Sequence, residues 1–500
     1  MAASHLDVET ALPAWNRFNN VQLIDVTPRD IPGCGVGFVA NQELTCQDEA
    51  LGSHPALLRI PRDLVLSQEA VEIHAKADGH FHELLEAVGR KSTRTDVCLF
   101  LFTQRALLLA PKVRGVTTPW TEYIRFLPRD VPVPSTWSAQ ERRLLQGTSL
   151  EVAVKAKISA LTGEFEELQE KSRELPYWDD FLWTEAKMTL DDWFLADAWY
   201  RSRCLELPHS GEAMVPVLDL ANHSSEATAF YEENIKTDEV ELLLRPGARV
   251  NAGEQVTISY GEGKSGAEML FSYGFIDPAR STDAVTLPLA PLDDDPLGRA
   301  KAHIFGRAGT AELGRTSGSG GGSGDDSPPW KSPFAWLACL NEEDGLEFRV
   351  LQDTGGGREL RVFWQDDDVT DRVDAFEELV RDHPLSDIFA LRVVMVLEDR
   401  VSSQLARLRD EGDNDDHHVA SPEGTSFDRK SPVVRPACVD AAAMLKEQEA
   451  KVIEEALRAL EEQKAKLLTT EAVVAYLGSK EISPIEQAQE TASNGSDEFS

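Results

Sequence analysis

Apolar residues change their spacing several times along this chain, and the changes mark out its elements. VGFVA and, further on, LLRIPRDLVL are short apolar runs that read as strands near the N-terminus. From Ser67 to Tyr200 apolar positions recur at helical spacing in QEAVEIHAKA, DVCLFLFTQRALLLA and EVAVKAKISALTGEFEELQE, and the acid–base alternation of the last predicts exposed helix faces. Strand signals return in AMVPVLDLA, ELLLRP and EQVTISY, with Asn251 to Gly253 as the intervening turn. Strands, a long helical stretch and strands again predict an α+β domain.

The organisation changes after Pro278. DPLGRAKAHIFGRAG reads as a helix, and RTSGSGGGSGDDSPP has nothing apolar to bury, so a flexible loop is expected over about 309–332. LEFRVL and LRVFW predict a hairpin turning around Thr354 to Gly357, with Leu346, Phe348 and Val350 alternating. Helices are expected at DAFEELV, IFALRVVMVLEDRVSSQLARL and AAAMLKEQEAKVIEEALRALEEQ. In the last, Leu445, Val452, Ala456 and Leu460 fall on one packing face. DEGDNDDHHVASPEGTSFDRKSP predicts a disordered loop over about 410–432, and the tail from 483 reads the same way. Asp415, Asp416, His417 and His418 are not taken as metal ligands, because adjacent donors in a polar loop lack supporting partners. No internal repeat is found.

Five hundred residues suit two domains better than one core. With 50 Lys and Arg against 86 Asp and Glu, the net charge is −36, which disfavours nucleic acid and favours a basic protein partner. The six cysteines, Cys34, Cys46, Cys98, Cys204, Cys339 and Cys438, form no CxxC or CxC spacing, so no metal is expected. Their sparse scatter is that of a reduced, intracellular protein. The start, MAASHLDVETALPAW, carries acidic residues and no apolar h-region, and no stretch approaches the ~18 apolar residues of a membrane span. A cytoplasmic or nuclear monomer without a membrane partner is expected.

Candidate chemistry gathers in four segments. PGCGVGFVA holds Gly35, Val36 and Gly37, and glycines there let the backbone turn tightly beside a ligand. It is not read as a dinucleotide fingerprint, because NQELTCQDE after it carries no helical apolar stripe. WYRSRCLEL contains Arg203 and Leu205. DLANHSS contains Asp219, Asn222 and His223, and VTISYGEGKSGAEMLFSYGF contains Tyr260, Tyr273 and Phe275.

Taken in order, these motifs resemble the core of a SET-domain protein methyltransferase. The long helical stretch between the glycine and Asn-His motifs resembles the split SET domain of the Rubisco large-subunit methyltransferase-like family, and IPRDLVLS, WTEYIRFLP and LLQGTSLE match further along its pattern. The resemblance implies a β-rich SET domain with a helical insertion, followed by a mainly α-helical substrate-binding domain. The expected boundaries are an N-terminal extension at 1–20, the SET domain at 21–285 with its insertion at about 67–200, and the second domain at 286–482.

The resemblance also implies S-adenosyl-L-methionine as cofactor and S-adenosyl-L-homocysteine as product. Gly35, Val36, Gly37, Arg203, Asp219, Asn222, His223, Tyr260 and Tyr273 would line that cofactor, and Asn222 has the donors and acceptors to clamp a zwitterion. Tyr260 would be the catalytic tyrosine where donor and acceptor meet, and Leu205, Tyr273 and Phe275 would line the acceptor channel. Methyl transfer is a one-step in-line displacement, so positioning is most of the catalysis. The implied acceptor is a lysine of a non-histone protein such as a ribosomal protein or translation factor. Lack of a transit peptide argues against Rubisco itself. Leu205 cannot hydrogen-bond an imidazole, and the histidine-modifying branch lacks the tyrosine at the Tyr273 position. A protein-histidine methyltransferase and a catalytically silent scaffold remain open alternatives. Cys34 and Gly266 depart from the family pattern.

Overall fold

The computed structural model describes residues 5–46, 54–110, 115–261, 263–279, 282, 284–292, 294–314, 329–352, 357–410 and 434–478. The chain forms two compact units. The first comprises 1–145, 150–281 and 417–445, and the second 146–149, 282–416 and 446–500.

In the first unit, one four-stranded sheet runs in the order Val26–Ile31, Gly35–Ala40, Gln255–Ile258, Asn222–His223. The first two strands are a hairpin in register from Val26 opposite Ala40 to Ile31 opposite Gly35. Gln255 and Val256 lie antiparallel to Val39 and Phe38, whereas Asn222 and His223 run parallel to Thr257 and Ile258. The glycine, Asn-His and first tyrosine motifs thereby become neighbours. A second four-stranded antiparallel sheet has the order Gln22–Leu23, Ala56–Pro61, Glu239–Leu244, Ala229–Asn234. Glu239–Leu244 is paired on both sides and buried from Val240 to Leu244, which is why ELLLRP reads as an unbroken apolar run.

The helical stretch forms Gln68–Ala77, Gly79–Val88, Thr93–Leu109, Pro119–Tyr123, Ala139–Arg143, Leu150–Arg173 and Leu190–Arg203. Thr93–Leu109 is buried on every side from Thr95 to Gln104, as a helix apolar all round must be. Each of its fully buried Leu and Phe side chains contributes about 1.5–3 kcal/mol. Leu150–Arg173 instead buries one stripe, Leu150, Val154, Leu161, Phe165 and Leu168. Asp197 is fully buried, and its Oδ1 accepts from Arg94 Nη1 at 2.8 Å and Lys157 Nζ at 2.7 Å. This pairing ties three helices together, and removing one partner from such a buried group costs about 3–5 kcal/mol.

The N-terminal segment is more than the extension expected at 1–20. Asp7 Oδ1 accepts from the Thr10 amide at 2.8 Å and caps a helix, Val8–Phe18, whose Val8, Leu12 and Trp15 are buried in the main core. The short amphipathic stripe interrupted by Pro13 hid it.

The second unit is not purely helical. Ala284–Pro288, Thr310–Gly314 and Trp330–Lys331 form an antiparallel sheet. The loop expected over about 309–332 is therefore ordered at both ends, because Ala311, Leu313 and Trp330 bury their side chains; 315–328 lie outside the described residues. The expected hairpin pairs Leu346–Gln352 with Arg358–Trp364, and Asp367–Asp368 adds a third strand. The unit's longer helices are Gly298–Phe305 and Ser386–Arg409, together with the part of Pro436–Leu467 from Lys446 onward. In that last helix the predicted face divides: Leu445 packs in a small cluster with Trp137, Leu150, Leu270 and Ile276 of the first unit, while Val452, Ala456 and Leu460 belong to the second unit's core. No single boundary near 285 therefore separates the two units. The loop expected over 410–432, with Asp415, Asp416, His417 and His418, lies outside the described residues apart from Asp410, as does the tail from 483.

Candidate active site

Gly35 and Gly37 act in different ways. Gly35, with φ +74°, sits in a backbone region that L side chains rarely adopt, and no atom lies within 4 Å of where its side chain would begin. Gly37 has ordinary extended backbone, but a Cβ there would collide with Asn222 Nδ2 and come to 3.0 Å from Ile31 Cδ1. Its bare α-carbon leaves the space in which the Asn222 amide lies, with Nδ2 donating to Gln255 Oε1 at 3.1 Å. Val36, between the glycines, is half-buried against the main core.

The Asn-His strand fixes the first tyrosine. The Tyr260 amide donates to His223 Nδ1 at 3.1 Å, which leaves the neutral ring's proton on Nε2, 3.5 Å from Asp277 Oδ2. Both ring nitrogens therefore face protein groups, and His223 serves by positioning the end of the tyrosine strand. The Tyr260 hydroxyl donates to the Ala221 carbonyl at 2.8 Å. Burial pushes this hydroxyl up to about 12, so at neutral pH it keeps its proton and presents its lone pairs to the site.

Aromatic rings close around it. Tyr260 and Tyr273 have centroids 4.7 Å apart, His223 and Tyr260 5.2 Å, and Phe275 lies 6.3 Å from Tyr260. Tyr273 ends the helix Gly266–Tyr273, which Gly274 caps at φ +84°. A Cβ on Gly274 would come within 2.7 Å of the Pro132 backbone, so the glycine of SYGF has a steric reason. The Tyr273 hydroxyl lies 3.2 Å from the Tyr260 carbonyl oxygen and 2.5 Å from Lys264 Nζ.

Beneath the Asn-His strand Asp219 is fully buried, with its Oδ2 3.3 Å from Arg203 Nε and its Oδ1 accepting from the Tyr123 hydroxyl. That hydroxyl also accepts from the Val217 amide at 2.7 Å. Val217 has φ +72°, a conformation uncommon for a β-branched residue, and lies two positions before Asp219. Burial raises Asp219, and the Arg203 charge and the Tyr123 hydrogen bond oppose that rise.

Leu205 lies on a separate ribbon, Cys204–Leu207 paired with Gly211–Met214. Tyr231 and Leu205 are both half-buried against the first unit's main core, and burial pushes the Tyr231 hydroxyl up. Tyr123, Tyr231, Gln255, Lys264 and Asp277 carry no role in the sequence reading. Tyr123 falls within WTEYIRFLP and Lys264 between the two tyrosine motifs, but neither string shows what its side chain touches.

The arrangement is a half-buried aromatic site with an oriented neutral hydroxyl, main-chain carbonyls and an open glycine edge. Its chemistry suits a zwitterionic ligand with a cationic centre: Asn222 and the backbone around it offer donors and acceptors, Gly35 leaves space, and the aromatic faces attract positive charge. Among the described residues no group of three or more His, Cys, Asp or Glu is arranged to hold a metal ion.

No protein-family model matches the chain. SET domain-containing protein 8 of Schizosaccharomyces pombe is 30% identical over 358 residues, covering 71% of this chain and 77% of that protein. The chloroplastic ribulose-1,5 bisphosphate carboxylase/oxygenase large subunit N-methyltransferase of Pisum sativum is 28% identical over 345 residues, covering 66% of this chain and 63% of that protein. The actin-histidine N-methyltransferase of Drosophila melanogaster is 24% identical over 327 residues, covering 61% and 56%. Among solved structures, the SET domain of LSMT bound to methyllysine and AdoHcy matches with a TM-score of 0.63 at 22% identity, covering 93% of this chain and 94% of that one. The last likeness shows the fold.

Proposed function

Because the chain belongs to the Rubisco large-subunit methyltransferase-like family of SET-domain protein methyltransferases, we propose that it is an S-adenosylmethionine-dependent protein-lysine N-methyltransferase acting on a non-histone protein. The observation that carries the reading is the neutral Tyr260 hydroxyl, held on the Ala221 carbonyl inside an aromatic wall of Tyr273 and Phe275. Bound at the glycine and Asn222 edge, the cofactor would supply a methyl group activated by sulfonium charge. The Tyr260 oxygen lone pairs would orient that methyl through weak contacts. The aromatic wall excludes water and confines the acceptor side chain to one line of approach.

A free lysine ammonium has a pKa of about 10.4 and must lose its proton before attack. Apolar walls beside a second positive charge lower that value, and water takes the proton. Tyr260 is not the base in this scheme, since burial holds its own proton on. Leu205 and Tyr273 favour lysine over histidine: an apolar Leu offers an imidazole no hydrogen bond, whereas an aromatic face suits an alkyl-ammonium. The competing reading, histidine as acceptor, draws on the kinship with the Drosophila actin-histidine enzyme.

The net charge of −36 supports a basic protein substrate, and the second unit is proposed to recognise it. Cytoplasm or nucleus is the proposed location. Labelled S-adenosylmethionine added with the protein to extract from knockout cells identifies the substrate, and mass spectrometry of the labelled band identifies the residue. Methyl-lysine upholds the proposal; methyl-histidine transfers it to the other acceptor; no label in any extract, together with no cofactor binding, rejects methyl transfer.

A further inference from the structure

Lys264 lies between the two tyrosine motifs, and its ammonium is held at both. Nζ donates to the Tyr260 carbonyl at 2.6 Å and to the Tyr273 hydroxyl at 2.5 Å, and stands 4.8 Å from the centroid of the Tyr273 ring. The Tyr273 hydroxyl turns its own proton to the same Tyr260 carbonyl at 3.2 Å. One ammonium, one hydroxyl and one main-chain oxygen therefore form a closed triangle of hydrogen bonds. Its corners come from the end of the tyrosine strand, the turn after it and the end of the following helix.

The turn is shaped for this return. Gly261 has φ +141°, and a Cβ there would press on the Lys264 stem, with Cδ and Cε each at 3.1 Å. The lysine chain folds back over a bare α-carbon and places its charge on the carbonyl of the residue just before. Hydrogen bonds with an ionised donor are stronger and shorter than neutral ones. A flexible lysine stem carries considerable rotamer entropy, so its ordering here needs that gain.

We propose that Lys264 is a positioning residue for methyl transfer: it locks the Tyr260 main chain to the Tyr273 hydroxyl and so sets the relative placement of the two rings that flank the acceptor. The proposal rests on the methyltransferase reading of the site. Tyr260 is pinned at three points, its amide on His223, its hydroxyl on Ala221 and its carbonyl by Lys264. The first two fix the strand side of the residue, and the third joins the Tyr273 hydroxyl's own bond to that carbonyl in tying it to Tyr273. Losing the third leaves the Gly37 and Asn222 edge untouched but leaves the weaker 3.2 Å bond alone to hold the two rings in place. Small misplacements at a reacting centre are costly, so the loss falls on turnover.

The test uses the full chain with Lys264→Met, Lys264→Arg, Tyr273→Phe and the double variant Lys264→Met/Tyr273→Phe. Wild-type turnover with the identified substrate is the control, and its absence counts against the methyltransferase reading and not against Lys264. Lys264→Met is expected to lower kcat by roughly tenfold or more while S-adenosylhomocysteine affinity, measured calorimetrically, stays within about twofold. Lys264→Arg keeps a cationic donor and is expected to recover a substantial part of the loss. Hydrogen exchange of the Tyr260 and Gly261 amides should quicken in Lys264→Met and remain near wild type in Lys264→Arg, a readout independent of turnover. The double variant should be no slower than the slower single one, because both remove the same coupling. Wild-type kcat and unchanged exchange in Lys264→Met would overturn the proposal, as would strictly multiplicative losses in the double variant.

Discussion

The Val217 amide donates a 2.7 Å hydrogen bond to the Tyr123 hydroxyl, ninety-four positions earlier in the chain. The same hydroxyl donates to the buried Asp219 carboxylate, so one phenol from the helical insertion holds both ends of the turn leading into Asn222 and His223. Val217 would not keep φ +72° unaided.

Tyr123→Phe should therefore destabilise the first unit by about 1–3 kcal/mol, the cost of leaving a buried donor and a buried carboxylate short of a partner. Denaturant unfolding measures it. S-adenosylhomocysteine affinity should fall as well, because the turn carries Asn222. A variant as stable as wild type, with unchanged affinity, would mean that the turn is held by its neighbours alone.

Gly37→Ala and Gly35→Ala separate steric from conformational need. Alanine at 37 meets the Asn222 amide and Ile31, and forced overpacking of this kind costs about 1–3 kcal/mol. It should displace Asn222 and weaken S-adenosylhomocysteine binding at least tenfold. Alanine at 35 touches nothing but must hold φ +74°, at a cost of about 1–2 kcal/mol. Its melting temperature should drop with a smaller change in affinity. Calorimetry and thermal unfolding of both proteins check the contrast.

Tyr260→Phe should fold, bind S-adenosylhomocysteine and lose about ten- to a hundredfold in kcat, since the removed hydroxyl acts mainly in the transition state. The Ala221 carbonyl loses its donor, which adds a stability loss of about 1 kcal/mol. Turnover at the wild-type rate by the folded variant would make Tyr260 a core residue.

Glu141 sets an acid limit on the first unit. Burial alone would raise its pKa, but the hydrogen bonds from Arg435 and from the Ser138 amide outweigh that and hold it down at about 2, against an ordinary 4.5. A carboxylate depressed on folding adds stability that is fully present above 4.5 and disappears as pH falls towards 2. Thermal unfolding of wild type and Arg435→Gln should thus differ by a constant amount above about pH 5.5, roughly one unit above that ordinary value, and converge as the pH drops through 4 and 3. A difference that does not vary with pH would show that Arg435 acts through packing.

The sequence by itself determined the family, the α+β class and most elements of the first unit, because those follow from local spacing: period-two runs, helical stripes and ordered motifs. It offered no sign that 434–445 packs with the first unit, because Leu445 and Val452 share one helical stripe and nothing local tells which core each joins. It named Gly37, Asn222 and Tyr260 but could not give the reason for the glycine, a collision with a side chain from a strand far along the chain. Tyr123, Lys264 and Asp277 gain their roles only through contacts that the sheet and insertion create, by burying a phenol under a turn and closing an ammonium onto two tyrosines. Pattern reports which face of an element is apolar. Which polar atoms meet across separated segments is decided by packing, where nearly every buried donor finds an acceptor.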